Sequence, residues 1–388
     1  MSTIELDGRR STELAPEPEW GIEPIPHDAR RLSGFDLAVL WGDLGIGLLV
    51  LITGALLVPS LGFGAAMVVI VIGSAIGVGL LALVGAAGTA DGVPTMVLFR
   101  PILGRRGSYL PSILNIAQLI GWTAVELWAI SFVADLVAVE AFGIQARGLW
   151  LAVAAVVCTG LALWGPVGVT RVWMERFGAW VIVAICLAVT ALVLTQDGIG
   201  AALARAGEST WPTVGGALDL VIAMPISWLP LVADYNRFGR STRGSFGGTF
   251  LGYFIANVWL YALGALLILG AGADPSPAGI AGGILAVAGG TVAGIVFLVG
   301  LLVGETDEAF ADIYSGAMSF KNVWPRVPRS AFVIGIAAVS TALGGWLTME
   351  RYESFLFLIG SVFVPLFGVF VAERYLSRAR SSETSGVR

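Results

Sequence analysis

WGDLGIG, residues 41–47, places three glycines and Asp43 inside the first long apolar stretch of the chain. Each glycine costs about 1 kcal/mol in a helix interior relative to alanine, so a helix entering this run is expected to break. A second stretch is built the same way. MPISWLP, residues 224–230, sets Pro225 and Pro230 in another apolar run, and each proline removes a backbone donor and crowds the preceding turn. Inside a bilayer a broken helix is tolerated only where its freed backbone groups are buried in protein or line a cavity.

The surroundings are those of a membrane protein. Hydrophobic residues make up 57% of the chain and charged residues 13%, with a mean hydropathy of +0.87, whereas soluble domains carry roughly a quarter charged residues. A span needs about 20 apolar residues, and ten stretches qualify: 36–58, 63–90, 110–140, 148–164, 178–195, 214–234, 246–271, 287–316, 330–348 and 353–376. The two breaks then fall in spans one and six, the corresponding members of two five-helix halves. This predicts an all-α polytopic fold of ten transmembrane helices in a five-plus-five inverted repeat with broken first and sixth helices. The expected layout is a cytoplasmic tail over 1–33, a transporter domain over 34–376 with repeats at about 34–200 and 210–376, and a second tail over 377–388. No signal peptide is expected, because the first apolar run begins beyond residue 34 without a cleavage-type flank.

Basic residues sort to one side. With the N-terminus inside, inner loops hold Arg100, Arg105, Arg106, Arg171, Arg176, Arg237, Arg240, Arg243, Lys321, Arg326 and Arg329, and outer loops hold Arg147, Arg205 and Arg351. That bias predicts both termini in the cytoplasm of a cell-membrane protein. The net charge of −5 forms no basic groove for nucleic acid. Cys158 and Cys186 lie in apolar runs and read as small buried hydrophobes. Phosphate-binding loops, nucleophile elbows and His/Cys clusters are absent from the sequence, which disfavours an enzyme or an ATP-driven pump. A carrier of this kind draws its energy from an ion gradient.

Acidic residues inside apolar runs mark its site, because a buried carboxylate must face a protein interior or a water-filled pathway. GETDEAFADIYS, residues 304–315, supplies Glu305, Asp307, Glu308 and Asp312 at the end of the eighth run; the plain alternative is that they lie just outside the bilayer. Glu305, Glu308 and Asp312 share one helical face, while Gly300, Val303, Gly304, Asp307 and Ala311 form another of mostly small residues. On the third run Asn115, Gln118, Trp122 and Glu126 also share a face. A flat indole beside an acceptor-only carboxylate suits a planar heteroaromatic that carries an amino group. A hard cation needs oxygen ligands, which Thr306, Asp307 and freed carbonyls near Asp43 and Ile46 can supply. Apart from Arg374 at the end of the tenth run, the spans hold no lysine or arginine, so a bound cation or a proton is the expected partner of these acids.

Three segments carry a family resemblance: SWLPLVADYNRF (227–238), RPILGRRGSYLP (100–111) leading into NIAQLIGWTAVELW (115–128), and GETDEAFADIYS followed by WPRVP (324–328). Together they resemble the nucleobase:cation symporter family of purine-cytosine permease type, on the side of its hydroxymethylpyrimidine and cytosine permeases. The resemblance implies a leucine-transporter-type fold that takes up a pyrimidine, with a sodium ion or a proton as coupling ion and no other cofactor. It places Trp122 as the stacking residue, Glu126 where the hydantoin-transporting branch has an amide, and Asp312 in place of a substrate-binding asparagine. Gly47, Met224, Pro225, Gln118 and Glu308 complete the implied substrate site. The implied sodium ligands are Asp43, Ile46, Val303, Thr306 and Asp307.

Two features depart from the family pattern. Gapless alignment on Asp234 puts Met224 or Pro225 where the hydantoin branch has a second stacking tryptophan, with Trp228 almost a turn further on. Many members have twelve spans, whereas ten are expected here. The two amide-to-acid changes favour donor-rich ligands, hydroxymethylpyrimidine or cytosine, over uracil, hydantoin or purine diones. A channel or a sensor for small heterocycles is the other reading the residues leave open.

Overall fold

The computed structural model describes residues 20–165, 178–289 and 291–377. The basic loop with Arg171 and Arg176, and most of both expected tails, lie outside the described residues. Fifteen α-helices of five residues or more occur among the described residues, and pairing between strands is limited there to one bridge, Leu32 with Gly239.

The chain enters the first helix, α1 (Gly34–Asp43), through a capping box: Asp36 N–H donates to Ser33 Oγ at 3.2 Å, and Ser33 N–H to Asp36 Oδ2 at 2.8 Å. The glycine run then breaks the helix as expected. Gly47 is extended, α2 (Leu48–Leu56) starts after it, and the two helices are bent by 62°. α3 (Phe63–Asp91), α4 (Arg100–Gly107), α5 (Tyr109–Phe142), α6 (Arg147–Trp164), α7 (Ala179–Leu194) and the short α8 (Ile199–Leu203) complete the first half.

In the second half α9 (Val214–Ser227) runs through Pro225 without breaking, and a turn over residues 228–231 precedes α10 (Val232–Asn236). The sixth span therefore breaks at Pro230, not at both prolines. Pro225 is absorbed because it fits against a residue with no side chain: a Cβ on Gly77 of α3 would lie 2.5 Å from its Cγ. α11 (Thr242–Ala271), α12 (Pro277–Val287), α13 (Thr291–Val323), α14 (Arg329–Gly344) and α15 (Met349–Val371) follow. Two boundaries correct the sequence reading. Residues 277–287 form a helix where a loop was expected, and the eighth helix runs to Val323 instead of 316. The acids at 305–312 thus lie in the middle of α13, all buried in protein.

Phe63–Asp91, Arg147–Trp164, Thr242–Ala271 and Leu358–Ser377 are each long and apolar enough to cross a membrane, and α1 with α2 makes one further bent span. The chain is a multi-pass membrane protein.

α11 splints the broken first helix along a seam of glycines. A Cβ on Gly248 would lie 2.2 Å from Gly34 O, one on Gly252 2.1 Å from Ala38 O, and one on Gly264 1.9 Å from Leu51 O. Small residues of this kind let helix backbones touch in a membrane. The seam holds both halves of the break at a fixed angle. Gly264→Val should therefore lower the melting temperature of the purified protein by several degrees, an overpacking cost of about 1–3 kcal/mol. Gly247→Val, where a Cβ meets nothing within 4 Å, should leave it unchanged, and thermal unfolding in detergent measures both.

Candidate functional site

The break in the first span and the middle of α13 meet. Leu48 N–H, at the exposed start of α2, donates a short hydrogen bond to Glu305 Oε1. The adjacent Gly47 lies against the same helix: a Cβ there would be 2.0 Å from Glu308 Oε1, so Glu308 would have to shift to admit one. From α5, Glu126 reaches the same point, so that one carboxylate oxygen from each of Glu126, Glu305 and Glu308 lies within 4.8 Å of the others. All three are buried, and their charged neighbours are other acids. Glu126 Oε2, Glu305 Oε2 and Glu308 Oε1 accept no hydrogen bond.

Beside this cluster is a cavity of about 10 Å³ lined by Leu49, Trp122, Glu126, Met224, Ser227, Trp228, Glu308 and Asp312. That is room for about one water molecule, so the walls must part to admit a six-membered ring. Trp122 and Trp228 are its aromatic surfaces. Phe355 of α15 sets a ring edge against Trp122 at 5.6 Å, and Trp41 packs at right angles to Trp228 at 6.1 Å.

The polar stripe expected on α5 divides. Trp122 and Glu126 face the cavity, whereas Asn115 Nδ2 donates to Ser319 Oγ at 2.8 Å and Pro230 O at 3.3 Å, and Gln118 Nε2 donates to Asn115 Oδ1 at 3.0 Å. Gln118 therefore belongs to a brace between α5, α13 and the break in the sixth span, outside the cavity walls. Pro225 is likewise outside them, turned toward α3. Met224 lines the cavity, and so does Trp228, because α9 ends at Ser227 and the indole sits on the residue that caps it. No signal in the spacing points to that rotation. Glu305, one of the acids expected to mark the site though outside the implied substrate and sodium sets, caps the break by accepting Leu48 N–H, a donor that the break frees.

On the opposite side of α13, Asp307 meets Asp43 of α1, carboxyl to carboxyl. Both are buried, and neither Asp43 oxygen accepts a hydrogen bond. Thr306 Oγ1 donates to Val303 O at 2.7 Å, and the close approach of α13 leaves a Cβ on Gly304 only 3.7 Å from Ile46 O. Of the residues expected around a cation, Asp43 and Asp307 meet directly, Thr306 and Val303 bond to each other within α13, and Ile46 O lies beside Gly304 of that helix. Gly300 and Gly304 set the small face of α13 against Ile185 and Ile182 of α7. Cys158 and Cys186 are buried free thiols.

Comparison with known proteins places these features. Residues 24–385 match the family model described as permease for cytosine/purines, uracil, thiamine, allantoin. The chain belongs to that family. The permease is 26% identical to the cytosine permease of Escherichia coli strain K12 over 362 residues, covering 92% of this chain and 81% of the relative. It is 23% identical to the hydantoin permease of Microbacterium maritypicum, covering 92% and 76%. Its fold matches a nucleobase-cation-symport-1 family transporter, solved closed with bromovinylhydantoin bound. That match has a TM-score of 0.82 at 22% identity, over 93% of this chain and 82% of the other. It also matches a Na+-coupled sialic acid symporter, with a TM-score of 0.71 at 15% identity, over 91% and 81%. The leucine-transporter-type fold that the family resemblance implies is the fold of the permease.

Trp122→Ala should weaken binding of a flat heteroaromatic by about 1–3 kcal/mol, the value of a base–aromatic stack, or roughly tenfold in Kd. Calorimetric titration of the purified permease checks this, and unchanged affinity would remove Trp122 from the site.

Proposed function

We propose that the permease carries out cation-coupled uptake of a pyrimidine across the cell membrane, with hydroxymethylpyrimidine or cytosine as substrate. One observation carries this reading: two indoles, Trp122 and Trp228, and three acidic side chains, Glu126, Glu308 and Asp312, line one cavity at the broken helices. Stacking takes a flat ring of any kind, but carboxylates at its edge demand N–H donors. An aminopyrimidine supplies them, whereas a ring dominated by carbonyls sets its oxygens against the acids. The relationship to cytosine permeases supports the same class.

The coupling cation, sodium or a proton, is assigned to the second gathering of oxygens. Asp43 and Asp307 face one another with no hydrogen-bond donor on Asp43, and two carboxylates at that distance do not coexist ionised without a proton or a cation between them. For sodium the ligands are these carboxylates, Thr306 Oγ1 and main-chain oxygens of Ile46 and Val303, all hard donors. A transmembrane potential of about 100 mV gives about 2.3 kcal/mol per charge moved, enough for roughly fiftyfold accumulation of a neutral substrate. The layout that goes with this function has ten spans in two inverted repeats, at about 34–200 and 210–376, and both termini in the cytoplasm, as the basic residues are sorted.

Proteoliposome uptake tests the whole. Labelled hydroxymethylpyrimidine or cytosine should accumulate when an inward sodium or proton gradient is imposed, and a panel of uracil, hydantoin and purine diones should compete weakly. Accumulation of none of them under either gradient would reject the reading. Asp307→Asn separates the ions: it should depress concentrative uptake more than it depresses substrate binding at saturating sodium. Wild-type affinity that ignores a sodium titration at fixed pH would exclude sodium and leave the proton.

A further inference from the structure

We propose that the permease holds the acyl chain of a membrane phospholipid as a bound ligand in an apolar groove between α1, α7 and α11, where the chain forms the wall between the bilayer and the segment that carries Asp43 and Ile46.

The groove has a volume of about 210 Å³, against about 10 Å³ for the cavity beside the glutamates. Along α1 its lining runs from Phe35 to Ile46, with Val39, Gly42 and Asp43 between them; Trp180 and Val183 of α7 and Gly252, Ile255 and Trp259 of α11 supply the rest of the walls named here. The seam of small residues between α1 and α11 makes the floor: a Cβ on Gly42 would lie 3.6 Å from Gly252 O. Phe35, Trp180 and Ile255 stand at the mouth, 63%, 54% and 60% exposed, so the groove is open on the outside of the helix bundle.

Depth decides what meets that mouth. Gly252–Trp259 lie about ten residues or more from either end of the 30-residue α11, hence about 15 Å or more along the helix, in the middle of a segment that crosses a hydrocarbon layer about 30 Å thick. The molecules that bathe the groove there are lipid tails. From Phe35 to Asp43 the rise of α1 is about 12 Å, close to the hydrocarbon depth of one leaflet, about 15 Å, so a tail can lie along the groove in the direction tails already run. The size agrees: an apolar cavity of about 150 Å³ admits a benzene ring, and this groove is larger.

The walls are selective for such a ligand. Asp43 is the one charged residue in the lining, is 4% exposed and meets Asp307 instead, and the Trp259 indole N–H is spent on Thr190 Oγ1 at 3.0 Å. A polar occupant would give up more hydrogen bonds to water than these walls return. An empty groove would forfeit the dispersion contacts of every side chain along it. A flexible tail restores those contacts and packs α7 against α1 and α11.

The purified full-length permease, in nanodiscs of phosphatidylcholine with a diazirine near the end of one chain, is illuminated, digested and mapped by mass spectrometry. We expect label to concentrate several-fold on the groove residues of α1, α7 and α11 over Val71, Ile72 and Ile76, exposed side chains in the middle of α3. In Val183→Trp, whose indole fills the groove, the groove label should fall to the α3 level. Equal labelling of groove and α3 in the wild type overturns the proposal, because that is passing contact with bulk lipid. Groove labelling that survives Val183→Trp overturns it as well. The wild-type comparison decides the question even if the variant fails to fold, and neither arm depends on the substrate, so the proposed uptake stands whatever the outcome.

Discussion

A helix that stops inside an apolar interior exposes backbone donors that water cannot reach, and each must be met by protein. At the start of α2 the donor is Leu48 N–H and the group that meets it is the carboxylate of Glu305. Much else in the structure depends on this bond. An acid has to stand in the middle of α13, the residue before Leu48 lies against the Glu308 carboxyl, and α11 has to hold the two halves of the break at their angle. The glycines of the 41–47 run both break the helix and let an anionic helix face come close enough to cap the break.

The same break touches α13 twice, on opposite sides. Asp43, at the end of α1, meets Asp307, while Gly47 and Leu48, across the break, meet Glu308 and Glu305. Glu305, Asp307 and Glu308 fall within one turn of one helix, so any change that moves α13 relative to the break alters both carboxylate groups together. In the proposed coupling, thermodynamic linkage runs in both directions, each ligand changing the other's affinity by the same factor. Such a coupling between a cation and a substrate requires no long pathway, only a rigid helix with two faces.

The fold was legible because its decisive features are local. Three glycines in seven residues, and a proline between short apolar runs, report on backbone conformation directly, and apolar length reports on spans. The acids were legible because charge is rare in such runs. What escaped was tertiary. Residues 277–287, PAGIAGGILAV, are too short for a span and rich in glycine, yet they form α12 because Ser276 caps the start and Pro277 occupies the first turn. Pro225 reads as a breaker but is accommodated opposite Gly77, a complementarity that becomes visible only once α3 and α9 are packed. Gln118 shares a face with Trp122 on a helical wheel, but α5 is long enough for that face to pass from the cavity into a polar brace. Trp228 turns into the cavity only because α9 ends one residue earlier.

Burial of charge alone does not distinguish a site from a brace, and the turn after the sixth break shows why. The segment VADYNR, residues 232–237, is wholly buried and rich in polar groups, and its bonds run to other elements. Asp234 Oδ1 accepts Thr95 N–H at 2.7 Å with the Arg237 charge nearby, and Asn236 accepts Trp41 Nε1–H at 2.7 Å while donating to Ser245 and Thr249 at 2.8 Å each. Tyr235 OH donates to Ala311 O at 2.9 Å, and Arg237 spends its donors on Gly21 O, Trp20 O and Tyr314 Oη. Bonds this dense between elements rigidify the fold, although Asp234 Oδ2 accepts none. Glu126 and Glu308 are as deeply buried, but they face other acids across a cavity and retain oxygens with no donor. Burying such groups costs folding energy that the protein alone does not recover. A bound partner with N–H donors would offset that cost, and what sets Glu126 and Glu308 apart from Asp234 is that their donorless oxygens belong to residues lining a cavity.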